Sequence, residues 1–125
     1  MDVEALEKEL TLTTAVARFE DLRLRDSLAE PPLTRAETLE LLALGEVIAR
    51  KSGYGRQLTV RSARTAGASW AEIGSALGTT RQSAWEAHQR WIDAQSAQHG
   101  QVGQIGFDAE EAAEARALAG PRDAG

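Results

Sequence analysis

The chain has 125 residues, a formal net charge of −5, 42% hydrophobic residues and no cysteine. That length and apolar content suit one domain with extensions, and without cysteine there are no disulfides, thiolate metal sites or cysteine nucleophile. No apolar run approaches the roughly 18 residues that a bilayer span needs, so no membrane association is expected.

The N-terminal MDVEALEKEL is acidic and lacks the basic-then-apolar layout of a signal peptide, which points to a cytoplasmic protein. Abundant alanine and an arginine-dominated basic set suggest a high-GC bacterial genome. Charge is unevenly spread. Residues 1–33 hold eight acids and four bases, net −4; residues 34–92 hold eight bases and five acids, net +3; residues 93–125 hold six acids and two bases, net −4. Nucleic-acid affinity follows local phosphate neutralisation rather than the global total, so a weakly basic centre between acidic ends remains compatible with DNA binding.

Residues 2–29 contain neither Gly nor Pro, and Val3, Leu6 and Leu10 begin an apolar stripe that Leu12, Val16 and Phe19 continue. A long N-terminal helix is expected there, with a bend or a division where Thr11, Thr13 and Thr14 weaken it. Pro31-Pro32 ends the segment. This arm either packs on the core or pairs with its own copy in a homodimer.

Thr34 with Glu37 forms a capping box, opening a helix to about Lys51 that Ser52-Gly53 closes. Its leucines at 39, 41, 42 and 44, with Val47 and Ile48, make it apolar on most sides and predict a central buried helix. A further helix runs from about Arg56 to Ala66 and stops at Gly67, with Leu58 and Ala63 inward and Arg56, Arg61 and Arg64 toward solvent.

Ser69–Trp91, SWAEIGSALGTTRQSAWEAHQRW, is the most informative stretch. Ser69 and Glu72 make a second capping box, and Ile73 and Leu77 share one helical face. Gly78 supplies a left-handed C-terminal residue, and Thr79 and Thr80 offer hydroxyls to open the next helix, about 80–97. Beyond it, Gly100, Gly103 and Gly106 interrupt the chain. Asp108 with Glu111 can cap a short alanine-rich helix to about Leu118, too weakly amphipathic to fold alone, and Pro121–Gly125 is expected without fixed structure.

WAEIGSALGTTRQSAWE resembles the helix-turn-helix of bacterial transcription regulators, especially sigma-factor region-4-like domains and small high-GC bacterial regulators. The match rests on a small residue inside the first helix (Gly74), apolar Ile73 and Leu77, the turn glycine Gly78 and the opening hydroxyl Thr80. It covers residues 56–92. Thr79 and Ala87 depart from it, since larger aliphatic residues are more usual there; Trp70 or Trp91 is expected to fill the thinner seam.

The resemblance implies an all-α fold: a helix-turn-helix core of three to four helices, a long N-terminal helix and a short C-terminal one. The expected segments are 1–33 as a helical arm and candidate dimerisation element, 34–97 as the DNA-binding domain and 98–125 as an acidic, partly disordered tail. Helix 80–97 would enter the major groove of double-stranded DNA. Periodicity turns Ala84, His88 and Trp91 inward and Gln82, Glu86 and Gln89 outward, flanked by Arg81 and Arg90. Glutamine can pair with adenine and arginine with guanine, while Glu86 can accept from cytosine or anchor Arg90. Thr79, Thr80, Ser83 and the helix amides are candidates for phosphate, as are Arg56, Arg61 and Arg64. Trp70 is expected in the core, Trp85 at the core rim or on DNA, and His88 as a packed residue rather than a ligand.

The expected function is a sequence-specific, nucleoid-associated transcriptional regulator acting as a homodimer on an inverted repeat. The alternative is a protein-interaction module docking on RNA polymerase, a sigma factor or another regulator, with the acidic tail of residues 98–125 competing with DNA for the basic face. Two histidines and no phosphate-binding glycine loop leave little catalytic material, so neither enzymatic activity nor a cofactor or metal is expected.

Overall fold

The computed structural model describes residues 2–101 and 105–123, and every regular element among them is an α-helix. The chain divides into two compact units, residues 1–55 and 56–125.

In the first unit, Asp2 caps α1 (Val3–Glu9) and Thr11 caps α2 (Leu12–Leu28). The long N-terminal helix expected from the sequence is therefore two helices. Thr11 and Thr14 bind one another's amides at 2.9 and 3.2 Å, which gives the backbone an alternative to continuing the helix. Ala29, in the left-handed region at φ 57°, closes α2. The Thr34–Glu37 capping box opens α3 (Arg35–Tyr54), which runs on past the stop expected at Ser52-Gly53.

α1 and α2 both pack on α3. Ala15, Leu22, Leu44 and Val47 are fully buried, with Phe19, Leu41 and Ile48 around them. Polar clamps edge this core: Arg18 holds Glu40 at 2.8 Å, Arg25 holds Glu37 at 2.7 Å, and Arg50 reaches Glu7 at 3.3 Å. The Tyr54 hydroxyl also donates to Glu7. Within this unit α3 is not enclosed as expected. Leu39 and Leu42 lie on its face away from Leu44 and Val47 and are 45% and 69% exposed. Two helices can cover only part of a third.

The second unit comprises α4 (Arg56–Thr65), α5 (Trp70–Leu77), α6 (Arg81–Gln98) and α7 (Ala109–Ala119). Its core gathers Val60, Trp70, Ile73, Ala84 and Ile92 with Ala112, Ala115 and Ala119. Val60 and Ala63 face this core from α4, whereas Leu58, expected inward, is exposed. After α6 the chain comes back against that helix at Gly106 and Phe107. The Phe107 amide donates to the Gln95 carbonyl at 2.9 Å, and a Cβ at Gly106 would fall 2.1 Å from that same oxygen. Only glycine fits so close an approach. Gly103 lies outside the described residues.

The reversal sends α7 back along α6. Asp108 and Glu111 cap it with a reciprocal box, and three alanines spaced three and four apart let it sit close to its neighbours. The expected boundaries after residues 33 and 97 therefore do not match the packing. α3 completes the core of α1 and α2, while the segment read as a tail completes that of α4, α5 and α6. Residues 122–123 form a turn; 124 and 125 lie outside the described residues.

Candidate nucleic-acid interface

α5 starts where Ser69 and Glu72 satisfy each other's amides at 3.1 and 2.9 Å, which holds the Glu72 carboxyl below its ordinary range. It ends at Gly78, whose φ of 71° suits glycine and whose amide caps the last turn. The Thr79 amide then returns to the Gly74 carbonyl at 2.8 Å. Gly74 is what lets the next helix begin so close. A Cβ there would stand 2.9 Å from Arg81 N and from the carbonyl carbon and oxygen of Thr80. Leu77, read on the same face as Ile73, is 40% exposed, whereas Ile73 is buried.

Thr80 caps α6 by accepting from the Ser83 amide at 3.0 Å, and its hydroxyl donates to Ser83 Oγ at 2.9 Å. Ala84, His88 and Ile92 form the inward stripe, with Trp91 half-buried beside it. The opposite face presents Gln82, Glu86 and Gln89, the residues that periodicity assigned there, with Arg81 and Arg90 flanking them and Ser83 beside Gln82. Thr79, Thr80, Arg81, Gln82, Ser83 and Arg90 are exposed; Glu86 and Gln89 are half-buried. Glu86 takes a hydrogen bond from the Gln82 amide at 2.9 Å instead of anchoring Arg90. That contact pre-orients the glutamine and satisfies the carboxylate at once.

The other candidates separate. Arg56 is exposed. Arg64, expected toward solvent, is half-buried and structural: it donates to the Ala68 carbonyl at 2.8 Å and the Leu118 carbonyl at 3.4 Å, with its guanidinium 5.4 Å from the centre of the Trp70 ring. Arg61 stacks 5.8 Å over Phe107 in an open pocket that Glu111 and Glu114 also line. Two carboxylates thus share the pocket that Arg61 lines. Trp85 is a rim residue, half-buried, with its indole N–H donated to the Gly120 carbonyl at 2.8 Å. Trp70 makes the equivalent bond one residue earlier, to Ala119 O at 2.8 Å. The two indoles thus satisfy carbonyls at the end of α7 that no helix amide can reach.

His88 is enclosed. Its ring lies 5.2 Å from Trp91 and 5.5 Å from Trp70, and Nδ1 pairs with Gln57 Oε1 at 2.9 Å. Burial, then the nearby positive charges of Arg61 and Arg64, push its pKa down to about 4. It is neutral at pH 7 and serves packing. Among the described residues no group of His, Asp and Glu is arranged to hold a metal ion.

The fold also redistributes charge. Folding α7 onto the motif gives the second unit seven arginines and eight acids, net −1, so the weakly basic centre read from the sequence does not survive as a basic unit. On α6 the outward Asp93 is already paired with Arg116 at 2.9 Å. Sequence reasoning missed three partners here: Gln57 on His88, Gly120 on Trp85, and Asp123, whose carboxylate lies 3.4 Å from Arg81. Each joins residues 31 to 42 positions apart, where helical periodicity carries no signal.

No protein-family model, curated protein or solved structure matches this chain.

Proposed function

We propose that the chain is a sequence-specific DNA-binding transcriptional regulator in which α5, the turn at Gly78 and α6 act as a helix-turn-helix. The observation that carries this reading is the tight approach at Gly74. It brings the start of α6 against α5 while Gln82, Gln89 and Arg90 stay on the helix's outward face. Glutamine and arginine are the side chains best suited to adenine and guanine edges. The hydroxyls of Thr79, Thr80 and Ser83 then meet backbone phosphate, and Arg56 adds a cation. A net charge of −1 on this unit makes non-specific affinity low, so base contacts must supply most of the discrimination.

Two copies acting on an inverted repeat would set their α6 helices about 34 Å apart. The first unit is the element assigned to pairing, because Leu24, Leu28, Leu39 and Leu42 leave apolar surface exposed there. Selection of bound fragments from bacterial genomic DNA, followed by binding at rising salt, tests the function. A recurrent motif bound with a salt-dependent Kd is expected. Indifference to every duplex at low ionic strength would overturn the reading.

The same leucines, together with net −4 on the first unit, favour a second reading: docking on RNA polymerase, a sigma factor or another regulator. Co-purification of a defined partner that is lost in Leu42→Glu, without DNA binding, would select it.

A further inference from the structure

We infer that the C-terminal turn is a built-in competitor for the DNA backbone: Asp123 occupies the Arg81 guanidinium that a phosphate would otherwise meet. This rests on the DNA-binding reading above. Arg81 is the first residue of α6, at the exposed end of the candidate interface. Its Nη2 lies 3.4 Å from the Asp123 carboxylate. Carboxylate and phosphate are both anions seeking the same donors, and the positive end of the helix dipole attracts either one.

The contact is delivered by a fixed piece of backbone. Gly120 adopts φ 62° and ψ −171°, a conformation essentially confined to glycine. Its carbonyl is held by Trp85 and its amide by the Arg116 carbonyl at 3.0 Å. Pro121 follows with a ring-restricted φ, and the turn at 122–123 brings the carboxylate back over α6. The last core residue is Ala119, so the competitor begins where the packing ends. Both partners are exposed, Arg81 by 54% and Asp123 by 69%, which makes this a graded brake that DNA displaces.

The test compares the full chain, Asp123→Asn and Asp123→Ala for binding to a labelled random-sequence duplex pool. At low salt both variants should bind about two- to fivefold more tightly, the worth of an exposed ion pair. In an Arg81→Ala background, Asp123→Asn should have no effect. A gain that persists without Arg81 would reduce the effect to general repulsion and overturn the competition. Equal Kd values for all three chains overturn the brake and leave the DNA reading standing. Failure of all three to bind removes that reading and the brake with it. Both substitutions fall on an exposed side chain, so the fold is retained in each.

Discussion

The indole of Trp85 donates to the carbonyl of Gly120 at 2.8 Å, tying the middle of α6 to the end of α7. With the parallel bond from Trp70 to Ala119, it makes the C-terminal helix part of the second unit's core. Deleting residues 98–125 removes Ala112, Ala115 and Ala119 and leaves both indole donors without partners. The expected result is loss of cooperative unfolding in that unit, read by thermal denaturation. A sharp, unshifted transition would contradict the assignment.

Trp70→Phe removes one of these bonds. The smaller phenyl ring leaves part of the indole's fully buried space empty, and the Ala119 carbonyl loses its donor, at a combined cost of about 2–4 kcal/mol. Urea titration should show a lower midpoint with an unchanged slope.

Gly74→Ala should destabilise despite alanine's better helix propensity. The added methyl meets backbone atoms of Thr80 and Arg81 at 2.9 Å, which cannot rotate away, so a loss of about 1–3 kcal/mol is expected. Gly45→Ala in α3 is the control. Its methyl would reach only Phe19 Cε2 at an ordinary 3.6 Å, and a gain of up to ~1 kcal/mol should follow.

Stability should also fall in mild acid. His88 titrates near 6.5 when unfolded and at about 4 when folded, so between those values the unfolded chain holds the extra proton. The contribution is therefore complete above pH 6.5, declines as pH drops toward 4, and amounts to ~3 kcal/mol. Denaturation measured at pH 7 and pH 4.5 should differ accordingly, and His88→Gln should flatten the difference. Glu37, Glu40 and Glu72, held below the ordinary carboxylate range by hydrogen bonds from Thr34, Arg18 and Ser69 respectively, lose their contributions at lower pH.

On DNA, Gln82→Ala and Arg90→Ala should each cost about 1–3 kcal/mol at a selected site and relax preference at one position. Arg56→Ala should instead weaken all duplexes alike and lower the salt slope by about 1. Arg64→Ala should reduce stability, since its donors are committed to the Ala68 and Leu118 carbonyls. Fluorescence anisotropy at several salt concentrations, with denaturation controls, separates these outcomes.

Local signals were well written in the chain. The boxes at Thr34–Glu37, Ser69–Glu72 and Asp108–Glu111 are complete within four residues, and each opens the helix it announced. Gly74 and Gly78 likewise declare a close approach and a left-handed turn. What the residues could not declare was allegiance. α3 reads as a buried centre because leucine surrounds it, yet only one side finds neighbours in its unit. α7 reads as a tail because Ala112, Ala115 and Ala119 give a faint apolar stripe, although small side chains are what permit its seating. At the candidate interface, the outward placement of Gln82, Glu86 and Gln89 on α6 followed from periodicity alone. The reassignment of Arg64 and the pairing of Arg81 depend on residues brought back from the C-terminus.

The division into two cores has a practical corollary. Trp70, Trp85 and Trp91 all fall in the second unit, and the first carries Tyr54 as its sole intrinsic near-ultraviolet phenol with no indole. Tryptophan emission is therefore a private signal of the helices around α6, whereas far-ultraviolet dichroism sums both halves. Following the two signals through one melt shows whether the halves come apart together or in turn.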